Sequence, residues 1–170
     1  MLARNETIFK WCLYGAATFL CFLAQGAVFQ RITLWGVIPF VFPILVAVLG
    51  MYEGPLPASV YALTVGVLCD LLLPASIPCF YTLIFPAAGL CAALISQSLL
   101  PAGFLCGVVT SVLSFLLTDA FHCIVLWAGG KAAWAAGAQV FLREVCVSIL
   151  LVVPVVLLFS AVFRRTHLDD

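Results

Sequence analysis

GFLCGVVTSVLSFLLTDAFHCIVLW, Gly103–Trp127, is the stretch that decides the class of this fold. Across 25 residues it carries one carboxylate, Asp119, one imidazole, His122, and no Lys or Arg. As an α-helix it would extend about 37 Å, enough to cross a hydrocarbon core of about 30 Å. The run does not alternate polar and apolar residues, as a barrel strand would, so a helix is the expected spanning element.

Comparable runs fill the rest of the chain. The spans expected are Trp11–Phe29, Leu34–Tyr52, Ala58–Leu73, Phe80–Leu99, Gly103–Trp127 and Val140–Phe163. The fold class is therefore an all-α integral membrane protein, a compact bundle of six transmembrane helices in one domain covering 1–170. Arg4 and Lys10 before an apolar run resemble a signal peptide, but the run to Phe29 exceeds the usual core of roughly 7–15 residues, so an uncleaved first helix is expected. Pro and Gly mark nearly every boundary, including Glu53-Gly54-Pro55 and Pro74–Pro78, and a longer Ala/Gly-rich connector is expected over Ala128–Gln139. Pro39 and Pro43 are expected to bend the second span, and Pro86 and Pro154 the fourth and sixth.

Composition agrees: 66% of the 170 residues are hydrophobic and 8% charged, against about 25% charged in a soluble domain. Seven basic and seven acidic residues cancel, and no basic tract exists that would hold nucleic acid. Eight cysteines lie mostly within apolar runs without a CxxC pair, which argues against a zinc or disulfide framework. Six spans place Arg4, Lys10, Arg164 and Arg165 on one side and Arg31, Lys131 and Arg143 on the other. The positive-inside bias then puts the N- and C-termini in the cytoplasm.

Two small-residue stripes recur at helical spacing. Ala58, Ala62 and Gly66 precede Asp70, and Gly103, Gly107 and Ser111 precede Asp119. Such stripes let helices approach closely in lipid, so these are helix-packing candidates and docking surfaces for a partner helix. Ionisable residues inside spans are expensive and face protein or water. Asp70, Asp119, His122, Arg143 and Glu144 all fall toward the same membrane face, the outer one if the termini are cytoplasmic. They form a candidate polar cluster or partner-binding surface, in which Arg143 is expected to pair with Asp70 or Asp119. Trp127 and Trp134 stand near enough in sequence to stack on a bound ring.

Enzymatic readings fail on motifs. There is no HExxH, SxxK, GxGD or Gly-rich phosphate loop, and the sole asparagine, Asn5, rules out the asparagine-containing motifs of lipoprotein signal peptidases. No catalytic residue, cofactor or metal is expected.

Tyr52-Glu53-Gly54-Pro55, followed by Gly66-Val67-Leu68-Cys69-Asp70-Leu71-Leu72-Leu73-Pro74, resembles the rod shape-determining protein MreD family. Pro78-Cys79 stands where family members often carry a glycine before the fourth span. The resemblance implies a non-enzymatic membrane scaffold of the bacterial cell-elongation machinery, in the cytoplasmic membrane. It implies binding to the single-pass protein MreC and, directly or indirectly, to MreB and the elongation-complex peptidoglycan synthases. Glu53 and Gly54 would then offer a cytoplasmic turn for a partner, although Gly54 is as readily explained by turn conformation. The competing class is the substrate-capture subunit of an energy-coupling-factor type vitamin transporter, also of six helices, with the polar cluster as its site.

Overall fold

The structure is a computed structural model and describes residues 2–73, 77–130 and 134–166, with side chains from Thr7 onward. It contains helices α1 (Leu2–Ala27), α2 (Phe42–Tyr52), α3 (Pro55–Leu72), α4 (Phe80–Ser98), α5 (Phe104–Ala128), α6 (Trp134–Ser148) and α7 (Val152–Thr166). A 3-10 turn, Ile149–Leu151, joins α6 to α7. Among the described residues no strand forms, and five helical stretches are long and apolar enough to cross a membrane. These are Thr7–Arg31, Pro55–Leu72, Phe80–Ser98, Phe104–Ala128 and Trp134–Thr166.

The expected second span is corrected. Of Leu34–Tyr52 only Phe42–Tyr52 is helical, and a helix of 11 residues rises about 16 Å, half a hydrocarbon core. Upstream the chain makes a two-residue hairpin turn, with Leu34 and Val37 exchanging both backbone hydrogen bonds at 2.9 and 3.0 Å. The turn residues Trp35 and Gly36 take positive φ, 53° and 81°. Pro39 then precedes the helix and Pro43 sits in its first turn, where a missing N–H costs nothing. The two prolines thus delay the start of a helix that they were expected to bend.

Every residue of α2 from Phe42 to Met51 is buried, with α3, α4, α5 and α7 packed around it. Close packing of side chains and backbones holds this arrangement. The glycines show how close. A Cβ on Gly50 would lie 2.7 Å from the Gly89 carbonyl oxygen, and one on Gly66 would lie 2.7 Å from that of Tyr81. α3 and α4 accordingly share the most extensive interface, with Ala58, Ala62 and Gly66 all buried against it. Gly107 faces Val156 of α7, and Ser111 is buried beside it on α5. Gly103 caps α5 in an extended conformation and faces no other helix. The two stripes are therefore used inside the bundle, and the expectation that they dock a partner is corrected.

Other boundaries shift for local reasons. Trp134–Gln139, expected as connector, is already helix; Lys131 lies outside the described residues. The 3-10 turn at Ile149–Leu151 sits where Pro154, four residues beyond Leu150, can neither bond that carbonyl nor avoid its bulk. α4 continues through Pro86 without a break. Gly54 has φ −68°, open to any residue, so the turn before α3 does not need a glycine.

Candidate functional site

α1 and α7 pack together, with the Tyr14 and Phe159 rings stacked at 5.6 Å; Lys10 of α1 reaches Glu53 while Phe163 of α7 stacks on the adjacent Tyr52, so α1 begins where α7 ends. This gives the bundle two ends, each with its own polar system. At the end where α1 starts, Lys10 Nζ pairs with Glu53 Oε2 at 2.7 Å, and the Tyr14 hydroxyl donates to Glu53 Oε1 at 3.0 Å. One helical step further along α1, the Thr18 hydroxyl meets the Tyr61 hydroxyl at 2.5 Å. Lys10, Tyr14 and Thr18 are spaced four apart and form one ladder, tying α1 to the α2–α3 turn and to α3. The Lys10–Glu53 ion pair is largely buried, its side chains 20% and 8% exposed. Glu53, expected to face a partner, is spent inside the chain.

At the opposite end the irregular 32–41 segment is fastened by side chains. Gln25 Nε2 donates to the Pro39 carbonyl at 2.8 Å, and Gln25 Oε1 accepts from the Val41 N–H at 3.0 Å. The Ser148 hydroxyl accepts from the Phe40 N–H at 3.1 Å. Both side chains are buried, so each replaces a backbone partner that a continuous helix would have supplied. Gln25 was missed from the sequence because an amide near a helix end carries no motif.

Asp70 is a cap rather than an ion-pair partner. From the last turn of α3 its Oδ1 accepts from the Tyr81 N–H at 3.0 Å. Its Oδ2 accepts from the Thr82 N–H at 2.8 Å and the Thr82 hydroxyl at 2.6 Å. The residue preceding α4, Cys79, makes no side-chain cap bond and is held at φ +62°, in the left-handed region. The carboxylate therefore serves the free N–H groups and the positive dipole end of α4 from a neighbouring helix. Arg143 is exposed and joins neither Asp70 nor Asp119 in an ion pair, which corrects the expected pairing.

The remaining cluster residues do converge. Asp119 and His122 of α5 and Glu144 of α6 line one cavity of about 600 Å³. Its other walls come from Gln25 and Gln30, the 36–40 segment, Thr118, and Phe80 and Tyr81 at the start of α4. Asp70 stands one step behind, bonded to the Tyr81 backbone. The His122 ring meets Phe80 edge-on at 5.5 Å. Asp119 Oδ2 is buried with no hydrogen-bond partner. Trp127 and Trp134 lie outside this cavity and face each other at 6.4 Å. No group of three or more His, Cys, Asp or Glu among the described residues is arranged to hold a metal ion.

A second cavity, about 580 Å³ and apolar, runs between α1 and α3. Trp11, Gly15, Thr18, Phe19 and Phe22 form one wall, and Tyr61, Val65 and Leu68 are among the residues of the other. No small-residue stripe at helical spacing announces it, since Trp11, Phe19 and Phe22 stand one and two turns from Gly15.

No protein-family model, curated protein or solved structure matches the chain.

Proposed function

We propose that the protein is a non-enzymatic, multi-pass membrane scaffold of the bacterial cell-elongation machinery, similar to the MreD family, with cytoplasmic termini. Its partner is the transmembrane helix of an MreC-like single-pass protein, through which MreB and the peptidoglycan synthases are reached. The observation that carries this reading is the groove between α1 and α3. Gly50, Gly66, Gly89 and Gly107 each touch another helix of the chain, whereas a Cβ on Gly15 would meet nothing within 4 Å. Gly15 is exposed on the groove wall, with Phe19 beside it at 63% exposure. Small residues let helices approach in lipid, and at Gly15 the approaching helix is not supplied by this chain. Pro78-Cys79 is where the chain departs from the family's glycine, and Cys79 holds the left-handed conformation that a glycine would take without strain.

A photo-crosslinking residue at Phe19, introduced in native bacterial membranes, tests the reading. Adducts with a single-pass, coiled-coil protein that co-purifies with cell-wall synthases are expected. Adducts with lipid alone would sink it. The polar cavity favours a second reading, the substrate-capture subunit of an energy-coupling-factor type transporter. Co-purification of an ATPase pair and a membrane coupling subunit would replace the first reading with the second.

A further inference from the structure

We propose that the cavity around Asp119 and Glu144 is a binding site for a small organic ammonium ion with an aromatic or apolar body. Its volume of about 600 Å³ falls within the roughly 300–1,000 Å³ of small-molecule sites. Two carboxyl groups reach it from different helices, α5 and α6, and among the described residues that line it the basic group is the His122 imidazole, with no Lys or Arg. Arg143, next to Glu144 in sequence, is exposed elsewhere. An anion would therefore meet two carboxyl groups against one imidazole. A neutral hydroxyl could donate to Asp119 Oδ2, which lacks a donor, but would leave the carboxyl charge unmatched. An ammonium group supplies donors and the opposite charge together, and Phe40, Phe80 and Tyr81 offer ring surface for a cation and its apolar body.

The wall of this cavity explains the broken second pass. Non-helical backbone at membrane depth persists only when buried in protein or lining a cavity, and Gly36, Val37, Ile38 and Phe40 line this one. Gln25 and Ser148 fix the inner part of that segment through Phe40, Pro39 and Val41, so the wall stands ready-formed. A continuous helix over residues 34–52 would withdraw it.

The test uses the full chain in lipid nanodiscs and three probes with one ring and one short tail. These are phenethylammonium, the neutral 2-phenylethanol and the anionic 3-phenylpropionate, titrated calorimetrically against empty nanodiscs. Saturable binding of phenethylammonium with a Kd below about 1 mM is expected, at least about tenfold tighter than either analogue. Asp119→Asn and Glu144→Gln should each weaken it about tenfold or more, while Phe19→Leu in the α1–α3 groove leaves it unchanged. Equal affinity for the three probes, no saturable binding of the cation, or indifference to both carboxyl substitutions would each overturn the proposal. The probe series needs no variant, so a misfolded mutant does not blur the outcome. Loss of crosslinking at Phe19 would instead count against the scaffold reading, because the α1–α3 groove shares no lining residue with this cavity.

Discussion

Removing the Asp70 carboxylate tests the assignment of that residue as the cap of α4. Asp70→Ala takes away the acceptors of the Tyr81 N–H, the Thr82 N–H and the Thr82 hydroxyl, now at 3.0, 2.8 and 2.6 Å. Loss of an ordinary cap costs about 0.5–2 kcal/mol, and a partly buried charge at a helix N-terminus contributes up to about 2 kcal/mol more. The two terms overlap, because the same oxygens serve both, so a loss of about 2–3 kcal/mol is expected. Asp70→Asn should fall between the variant and the parent, since its single carbonyl oxygen serves one N–H while its amide opposes the other. Stability would be read by reversible SDS unfolding in mixed micelles, followed by tryptophan fluorescence. A double-mutant cycle identifies the partner. Asp70→Ala with Thr82→Val should show a coupling of about 1 kcal/mol, and Asp70→Ala with Arg143→Ala should be additive within about 0.5 kcal/mol. The opposite pattern, coupling to Arg143 and none to Thr82, would refute the cap.

Four further outcomes follow from the packing and hydrogen bonds around single residues. Gly66→Ala should destabilise by about 1–3 kcal/mol, because its Cβ would press on the Tyr81 carbonyl and the Thr82 Cα, backbone atoms that do not swing aside. Gly15→Ala, inside α1 with open space around it, should not destabilise the purified chain and should raise its stability by about 0.5–1 kcal/mol. Gln25→Leu leaves the Pro39 carbonyl and the Val41 N–H unpaired and should cost about 2–5 kcal/mol. Hydrogen exchange should accelerate at Val41 first, while Gln25→Asn, too short to reach, should behave like the Leu variant. Cys79→Gly relieves a left-handed residue and should raise stability by up to about 1 kcal/mol in the same SDS assay, less the entropy a glycine loses on folding.

The sequence made the long helices legible and hid the short one. Gly103–Trp127 and Phe80–Leu99 shift by only a residue at either end, because unbroken apolar runs have few ways to satisfy their backbone except as helix. Leu34–Tyr52 is just as apolar, yet half of it is not helical. What permits the break lies far away in the chain. Gln25 and Ser148 take up the donors and acceptors that the helix would have closed, and hydropathy does not register such partners. The positive φ values of Trp35 and Gly36 have a signal in Gly36, but Trp35 gives none.

The polar residues show why charges were harder to place than helices. Side chains were matched with side chains, so Asp70 was given to Arg143, the basic residue expected near its depth. In a bundle whose helices begin inside it, the stronger demand comes from the backbone. α4 starts with free N–H groups and without a side-chain cap of its own, and Asp70 meets that demand from three contacts at once. Asp70 spends its charge on α4, and Arg143, exposed and outside the cavity lining, balances neither of the other two carboxyls. Asp119 and Glu144 remain around a cavity whose described lining holds one imidazole, His122, and neither Lys nor Arg, so with both carboxyls ionised the imidazole alone does not balance them.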